Sequence, residues 1–463
     1  MAELGRGFAP QEPEPEIRSQ EVTADVVDRL LTTGSVFRVW AIVLAVLFLA
    51  GIGSFVARLL TTGLGDRAGF GYLAATFAFL LATVQAAPIL SMGLRLTKAN
   101  WQRPLARGSE LFAVPAILCP LLYIPLLISL PPIQGRHTLW TVWPGWVLPV
   151  FDTIIVVATA VFGVAFLYLA AIPDFAAARD HIAGRRRGRF ALLARGWRGT
   201  TGQWTALRFT LILLGAFYAM LYAGLQLLIS YDFAMTLVPG WLSSIFPAFQ
   251  ITTAFEAAVA VDVLALYIWR RWGGLGRYIR PDVFSGTGGI LFCLALLSLY
   301  MWWSAFITQW YGRTPREQNL LFFQEFGVYF VPWVIFFLLV IVIPIAVLLW
   351  RPVRHSILGP TFVSLGITVG VFFDRIRAYV GAFTITDVTA QELQQLPPAR
   401  LPDALDILMV LGSLAGAVLL YMLGAKLVPP LSIWEIKEGL LLRLHRPFLR
   451  GEYSVLGKPR SVI

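Results

Sequence analysis

Cysteine and histidine are scarce in this chain of 463 residues, and that scarcity closes off much chemistry. The two cysteines, Cys119 and Cys293, each fall inside an apolar run, where a thiol reads as a small buried hydrophobe. Disulfide frameworks and cysteine-ligated zinc or iron–sulfur clusters are therefore not expected within the chain. The four histidines (His137, His181, His355, His445) fall in loops or the tail, so no facing pair is expected to hold a haem inside a membrane. No Gly-Lys-Ser/Thr loop cradles a phosphate, and no Gly-x-Ser-x-Gly turn presents a nucleophile. The N-terminus lacks the pattern of a cleaved signal peptide.

Charge is thin as well. Only 14% of residues are charged and 58% are hydrophobic, with mean hydropathy +0.73, whereas soluble domains carry about 25% charged residues. What is present instead is a series of apolar runs, each near the ~20 residues that cross a bilayer. Ten are read, over 39–60, 69–92, 109–130, 147–172, 205–231, 245–269, 285–310, 326–350, 358–380 and 405–425. The net charge of +11 would suggest nucleic acid in a soluble protein; here it sorts by side. Of 37 Lys and Arg, 28 lie in the two termini and the even-numbered loops, and five in the odd-numbered loops. Arg58, Arg208, Arg375 and Arg377 lie within spans. That bias places both termini in the cytoplasm. The expected class is an all-α integral membrane protein with ten transmembrane helices, without nucleic-acid binding.

Outside the spans, residues 9–16 are acidic and Pro-rich, a disordered tail or a docking strap. Residues 431–446 mix Leu, Ile and Trp with basic residues at helical spacing and read as an interfacial amphipathic helix. The loop 381–404 is the longest external one.

Ionisable groups at membrane depth are costly, so each is a functional candidate. Glu110 opens the third span on the cytoplasmic side, Asp262 lies in the cytoplasmic half of the sixth, and Glu256 lies near its middle. Asp152 is one turn into the fourth span, and Asp374, Arg375 and Arg377 occupy the outer half of the ninth. Gln226 and Asp232 end the fifth, and Gln85 is inside the second. Several have plain explanations: Glu110 and Asp152 suit helix starts, Asp374 and Arg377 neutralise each other at i,i+3, and Arg58 and Arg208 snorkel to headgroups. Glu256 and Asp262 share one helix with no basic residue between them, and for them a functional role leads. Taken together the acids form a discontinuous ladder of the kind proton relays use. The tryptophans form an interfacial belt, with Trp302 and Trp303 set deeper, where belt and quinone stacking both stay open.

The segment from Gln226 to Ala257 carries Asp232-Phe233, Met235, Pro239, Trp241 and Ser243-Ser244-Ile245-Phe246. With Trp101-Gln-Arg-Pro104, Arg107 and Glu110, then Pro173-Asp174 with Arg179-Asp180, then Gly196-Trp197-Arg-Gly199, it resembles the NrfD/polysulfide-reductase-type membrane subunits of bacterial alternative complex III. The resemblance covers about residues 70–320, and the ten-span layout throughout. It implies two four-helix bundles, over 69–231 and 232–380, flanked by span 1 with its loop (39–68) and span 10 (405–425). The tails are then 1–38 and 426–463, and 381–404 is a periplasmic loop. It further implies a complex that oxidises quinol, menaquinol for example, and passes electrons through partner subunits bearing iron–sulfur clusters and haem to a cytochrome c or blue copper protein. Partners implied are multihaem cytochrome c and iron–sulfur subunits, a paralogous ten-span subunit, lipids and the quinone pool.

One of the two similar subunits in such complexes carries a His-Leu-Gly-Arg-Pro stretch and histidines near the fifth and sixth spans. Here Ile133-Gln134-Gly135-Arg136 replaces the first, and Gln226 and Leu242 stand where the others are expected. The chain therefore looks like the second subunit, the quinone-binding subunit 2 type, which binds no cofactor alone and offers a proton path and a scaffold. Its expected path is Glu110, Asp152, Glu256, Asp262, Asp374, Arg375 and Arg377. Two alternatives stay open. In one, this chain itself oxidises quinol, with Arg136, His137, Asp152, Gln226 and Asp232 as quinone-binding candidates. In the other it is a secondary transporter, although the Pro115, Pro120 and Pro125 break of the third span has no counterpart in the second half.

Overall fold

In hydrocarbon an apolar run must satisfy its own backbone polar groups, which makes it helical. The computed structural model describes residues 19–131, 147–184, 186–388, 390, 392–448 and 451–456, and helices dominate it. Nine described helices are long and apolar enough to cross a membrane: α2 (Ser35–Thr62), α3 (Arg67–Leu96), α4 (Arg103–Ser129), α5 (Val147–His181), α7 (Thr201–Asp232), α8 (Ile245–Arg271), α9 (Pro281–Gly312), α11 (Phe330–Leu348) and α13 (Ala404–Leu427). Shorter helices are α1 (Ser19–Leu31), α6 (Arg186–Leu193), α10 (Pro315–Leu321) and α14 (Ile433–Leu441). The segment expected as the ninth span is helical too: α12 (Leu358–Arg375) continues through a π turn, Ile376–Val380, to Phe383. It falls outside the nine because three glycines, a proline and the Asp374-Arg375 pair thin its apolar character.

Burial reveals the plan. In α3, 89% of the most apolar window is buried, and in α8 67%, against 11% in α2 and 17% in α9. Thus α3 and α8 are the central posts, and they touch through the π turn Leu81–Gln85 of α3. Helices α3, α4, α5 and α7 pack among themselves; so do α8, α9, α11 and α12. α2 pairs with α13 outside both groups. That pairing is close because Gly51 and Gly412 oppose each other: a Cβ on Gly412 would sit 2.5 Å from Gly51 Cα. Small residues let membrane helices approach in this way.

Arg58 does not snorkel. It is buried on α2 and its guanidinium meets Asp403 at 2.6 Å and Asp406 at 3.1 Å, at the start of α13. A buried pair that ties two helices serves Arg58 better than a headgroup, because both carboxylates lie within its reach. Arg208 does stay exposed, and pairs with Glu438 at 2.7 Å. Cys119 is buried as expected, but Cys293 is exposed on α9, which has one of the least buried surfaces of the fold.

The helix expected over 431–446 ends at Leu441, and Arg443–Phe448 instead pairs with Gly451–Leu456 in an antiparallel hairpin. α14 buries Ile433, Glu435 and Ile436 and packs against α1, α4 and α5. Its Glu435 meets the Arg95 guanidinium at 2.8 Å. α1 covers the same face, with Val22, Val26 and Val27 fully buried. Residues 9–16 lie outside the described residues.

Candidate functional site

Three groups of buried polar side chains lie on or beside α8. At the end that carries α1 and α14, Glu110 is fully buried at the start of α4. Arg107, one turn earlier on the same face, reaches it at 2.8 Å, and Arg95 at the end of α3 also pairs with it. Arg107 binds Asp174 of α5 at 2.6 Å, and Arg95 binds Glu435 of α14 at 2.8 Å. The backbone N–H of Trp434 donates to Asp174 at 3.1 Å, so α14 is stitched directly into the cluster. Three buried carboxyls thus face two guanidiniums, with half-buried Lys437 close enough to act on Asp174.

The middle is sparse. Asp262 of α8 is buried, with the Ser109 hydroxyl and Tyr421 among its polar neighbours. Ser109 is itself adjacent to Glu110 and donates to the Ala87 carbonyl at 2.6 Å. Glu256, six residues back along α8, accepts from the Ser298 hydroxyl of α9 at 2.7 Å. Its second oxygen, and both oxygens of Asp262, are buried without a hydrogen-bond partner. Among the described residues neither acid has a basic partner within ion-pair distance.

At the opposite end α12 brings Asp374, Arg375 and Arg377 together, as their spacing suggested. Asp374 accepts from Arg375 and Arg377, each at 2.7 Å, and from the Gln250 side-chain amide at 3.0 Å. Arg375 also donates to the Gln250 side-chain oxygen and to Thr253 at 3.2 Å, both on α8. Arg377, on the π turn, reaches Gln324 at 3.3 Å and Glu325 at 3.9 Å. Glu325 lies in a second π turn, Phe322–Phe326, next to Trp302. Burial pushes its carboxyl above the usual carboxylate range, and Arg377 pulls in the other direction. Among the described residues, three of the four π segments carry a polar residue of this network or of the tyrosine pair below: Gln85, Glu325 and Arg377. Such turns often mark functional positions in helices.

Along α8, then, Gln250, Thr253, Glu256 and Asp262 span twelve residues, about 18 Å at 1.5 Å per residue. The quinone-binding candidates are not all brought together. Asp152 and Asp232 both approach Tyr123, which sits in a ring cluster with Phe77 and Phe233 at 6.2 and 5.9 Å. Gln226 instead faces Tyr222 at 3.5 Å, deeper along α7. Above that pair, Gln85 donates to Tyr218 at 3.1 Å. Arg136 and His137 lie outside the described residues. Among the described residues no group of three or more His, Cys, Asp or Glu side chains is placed to hold a metal ion.

Arg95, Arg107, Asp174, Gln250, Glu325 and Glu435 belong to these clusters without standing out in sequence as site residues. The first three and Glu435 lie near span ends, where charge is ordinary. Gln250 and Glu325 become conspicuous only once α12 is seen beside α8 and the π turns. No protein family's sequence pattern matches this chain, and no curated protein matches it.

Proposed function

We propose that this chain is an integral membrane subunit of a quinol:electron-acceptor oxidoreductase of the alternative complex III type, and that it supplies a proton path and a scaffold. It sits in the bacterial cytoplasmic membrane with ten spans, α12 being the ninth, in two four-helix bundles flanked by α2 and α13. Both termini are cytoplasmic by the charge bias. Multihaem cytochrome c and iron–sulfur subunits and a paralogous ten-span subunit carry the redox chemistry.

One observation carries this reading. Two buried carboxyls without counter-charge, Glu256 and Asp262, lie on one helix between ion-paired clusters at its two ends. A structural pair would be neutralised, as Arg58 is by Asp403 and Asp406. An unpaired intramembrane acid is the kind of group that proton relays use. The direction of flow is between Glu110 and the Asp374 cluster, with Ser109, Asp262, Glu256 and Thr253 as steps, and mobile water filling the gaps.

The test is Glu256→Gln in the intact complex. Assembly and quinol turnover without a membrane potential should be kept, while protons moved per quinol in sealed vesicles fall severalfold. Unchanged translocation in a correctly assembled complex would overturn the relay. A tagged chain that purifies without any haem-bearing partner would overturn the complex itself.

A second reading, quinol oxidation on this chain, is favoured by one observation: Asp152 and Asp232 are both near enough to Tyr123 to act on it electrostatically. Asp152→Asn separates the two: it abolishes quinol turnover if the head group binds there, and leaves turnover intact if this chain only conducts protons.

A further inference from the structure

Beside the end of α8, on the face that carries α1, lies an open cavity of about 370 Å³. Its lining is Tyr267, Arg270, Arg271, Gly276, Ile357 and Leu358, so it sits in the crevice between α8 and the start of α12. The two guanidiniums differ. Arg270 is committed to the fold, donating to the carbonyls of Gly276, at 2.9 Å, and Ile279. Arg271 is exposed and has no acidic partner among the described residues. Nearby acids are already engaged: Glu21 with Arg277 at 2.9 Å, Asp25 with Tyr278 at 2.7 Å, and Asp282 with Arg280 at 3.7 Å.

What lies beyond the cavity decides the kind of anion. Leu358, Phe362, Leu365 and Val369 are all exposed and recur at i, i+4, i+7 and i+11, one continuous stripe of α12. Eleven residues at 1.5 Å each make that stripe about 16 Å long, close to half the ~30 Å hydrocarbon thickness. It therefore matches the acyl chains of one leaflet. At its mouth Trp272 is 71% exposed and packs edge-on against Tyr267, the position where an amphipathic ring marks the headgroup level. A basic pocket between helices, continuous with an apolar stripe one leaflet deep, has the shape of a phospholipid.

We propose that this crevice is a binding site for an anionic phospholipid of the leaflet on the α1 and α14 side, its phosphate on Arg271 and its chains along α12. A free phosphate would use the guanidinium and not the stripe; a zwitterionic lipid would use the stripe without the charge preference. This inference does not depend on the proton path, since none of the lining residues belongs to it.

Lipid-stripped full-length protein in detergent is titrated with phosphatidylglycerol, phosphatidylcholine or inorganic phosphate, and bound lipid is counted by native mass spectrometry. Phosphatidylglycerol should bind about fivefold more tightly than phosphatidylcholine, the scale of one basic residue at an anionic surface. Arg271→Gln should remove that preference while leaving phosphatidylcholine binding unchanged. Phe362→Ser should weaken both lipids, and Arg198→Gln, on a distant loop, should alter neither. Equal binding of the two lipids, or a preference that survives Arg271→Gln, would overturn the proposal. Competition by millimolar inorganic phosphate as strong as that by phosphatidylglycerol would reduce the site to a bare anion site and overturn it equally.

Discussion

Glu325 shows what a single buried carboxyl does to pH dependence. Burial raises its folded value above the ordinary one, despite Arg377 at 3.9 Å. A group shifted up in the folded state contributes stability that is fully present below its unfolded value, about 4.3, and is lost as pH rises through the folded value. Wild-type protein should therefore lose thermal stability over that window, and Glu325→Gln should flatten the loss. Melting temperatures of both proteins in detergent from pH 4 to 8 check it; parallel curves would remove Glu325 from the titration. Glu256 and Asp262 were legible in the sequence because an acid inside twenty apolar residues has no ordinary reason to be there. Glu325 was not, since it lies between spans and becomes buried only when the π turn Phe322–Phe326 folds it towards Arg377. Arg58 misled for the converse reason. Its depth suggested a headgroup, and the carboxylates that claim it are 345 and 348 residues away in sequence.

At the scale of an element, α14 is the instructive case. Its composition reads as a surface helix, yet it inserts Glu435 against Arg95 and caps Asp174 with its own backbone. Periodicity identifies an apolar face without saying what covers it, and the covering surface here is assembled from α1, α4 and α5. The cluster underneath should respond unequally to its members. Arg107 has no exposed side-chain surface and holds Glu110 and Asp174 together. Arg107→Met takes the guanidinium from buried Asp174 and leaves Glu110 with Arg95 alone, a change that costs about 3–5 kcal/mol where one partner of a buried pair is removed. Glu435→Gln keeps an oxygen for Arg95 to bind, and should cost about 1–3 kcal/mol. Denaturant titrations of the two variants in the same detergent test the order. An Arg107→Met protein as stable as Glu435→Gln would mean that the cluster is not held as a unit.

Across the whole molecule, α3 and α8 form a central pair around which both groups of four helices close, and α8 carries Glu256 and Asp262 and reaches the Asp374 cluster through Gln250 and Thr253. Apolar run length located in sequence all nine helices that are long and apolar enough to cross a membrane. It could not show that Gln250, Thr253, Glu256 and Asp262 line one post, because that depends on which helices α8 contacts. If α8 is a single conduit, its carboxyls act in series, and blocking either one should block the path. Glu256→Gln and Asp262→Asn should then each lower proton translocation to the same residual level, and the double variant should go no lower. Such non-additivity is the mark of residues acting as one unit. Two parallel routes would instead give single losses that multiply in the double variant. Proton yield per quinol in sealed vesicles, measured for all four proteins at equal turnover, separates the outcomes, and multiplying losses would rule out α8 as the common rail.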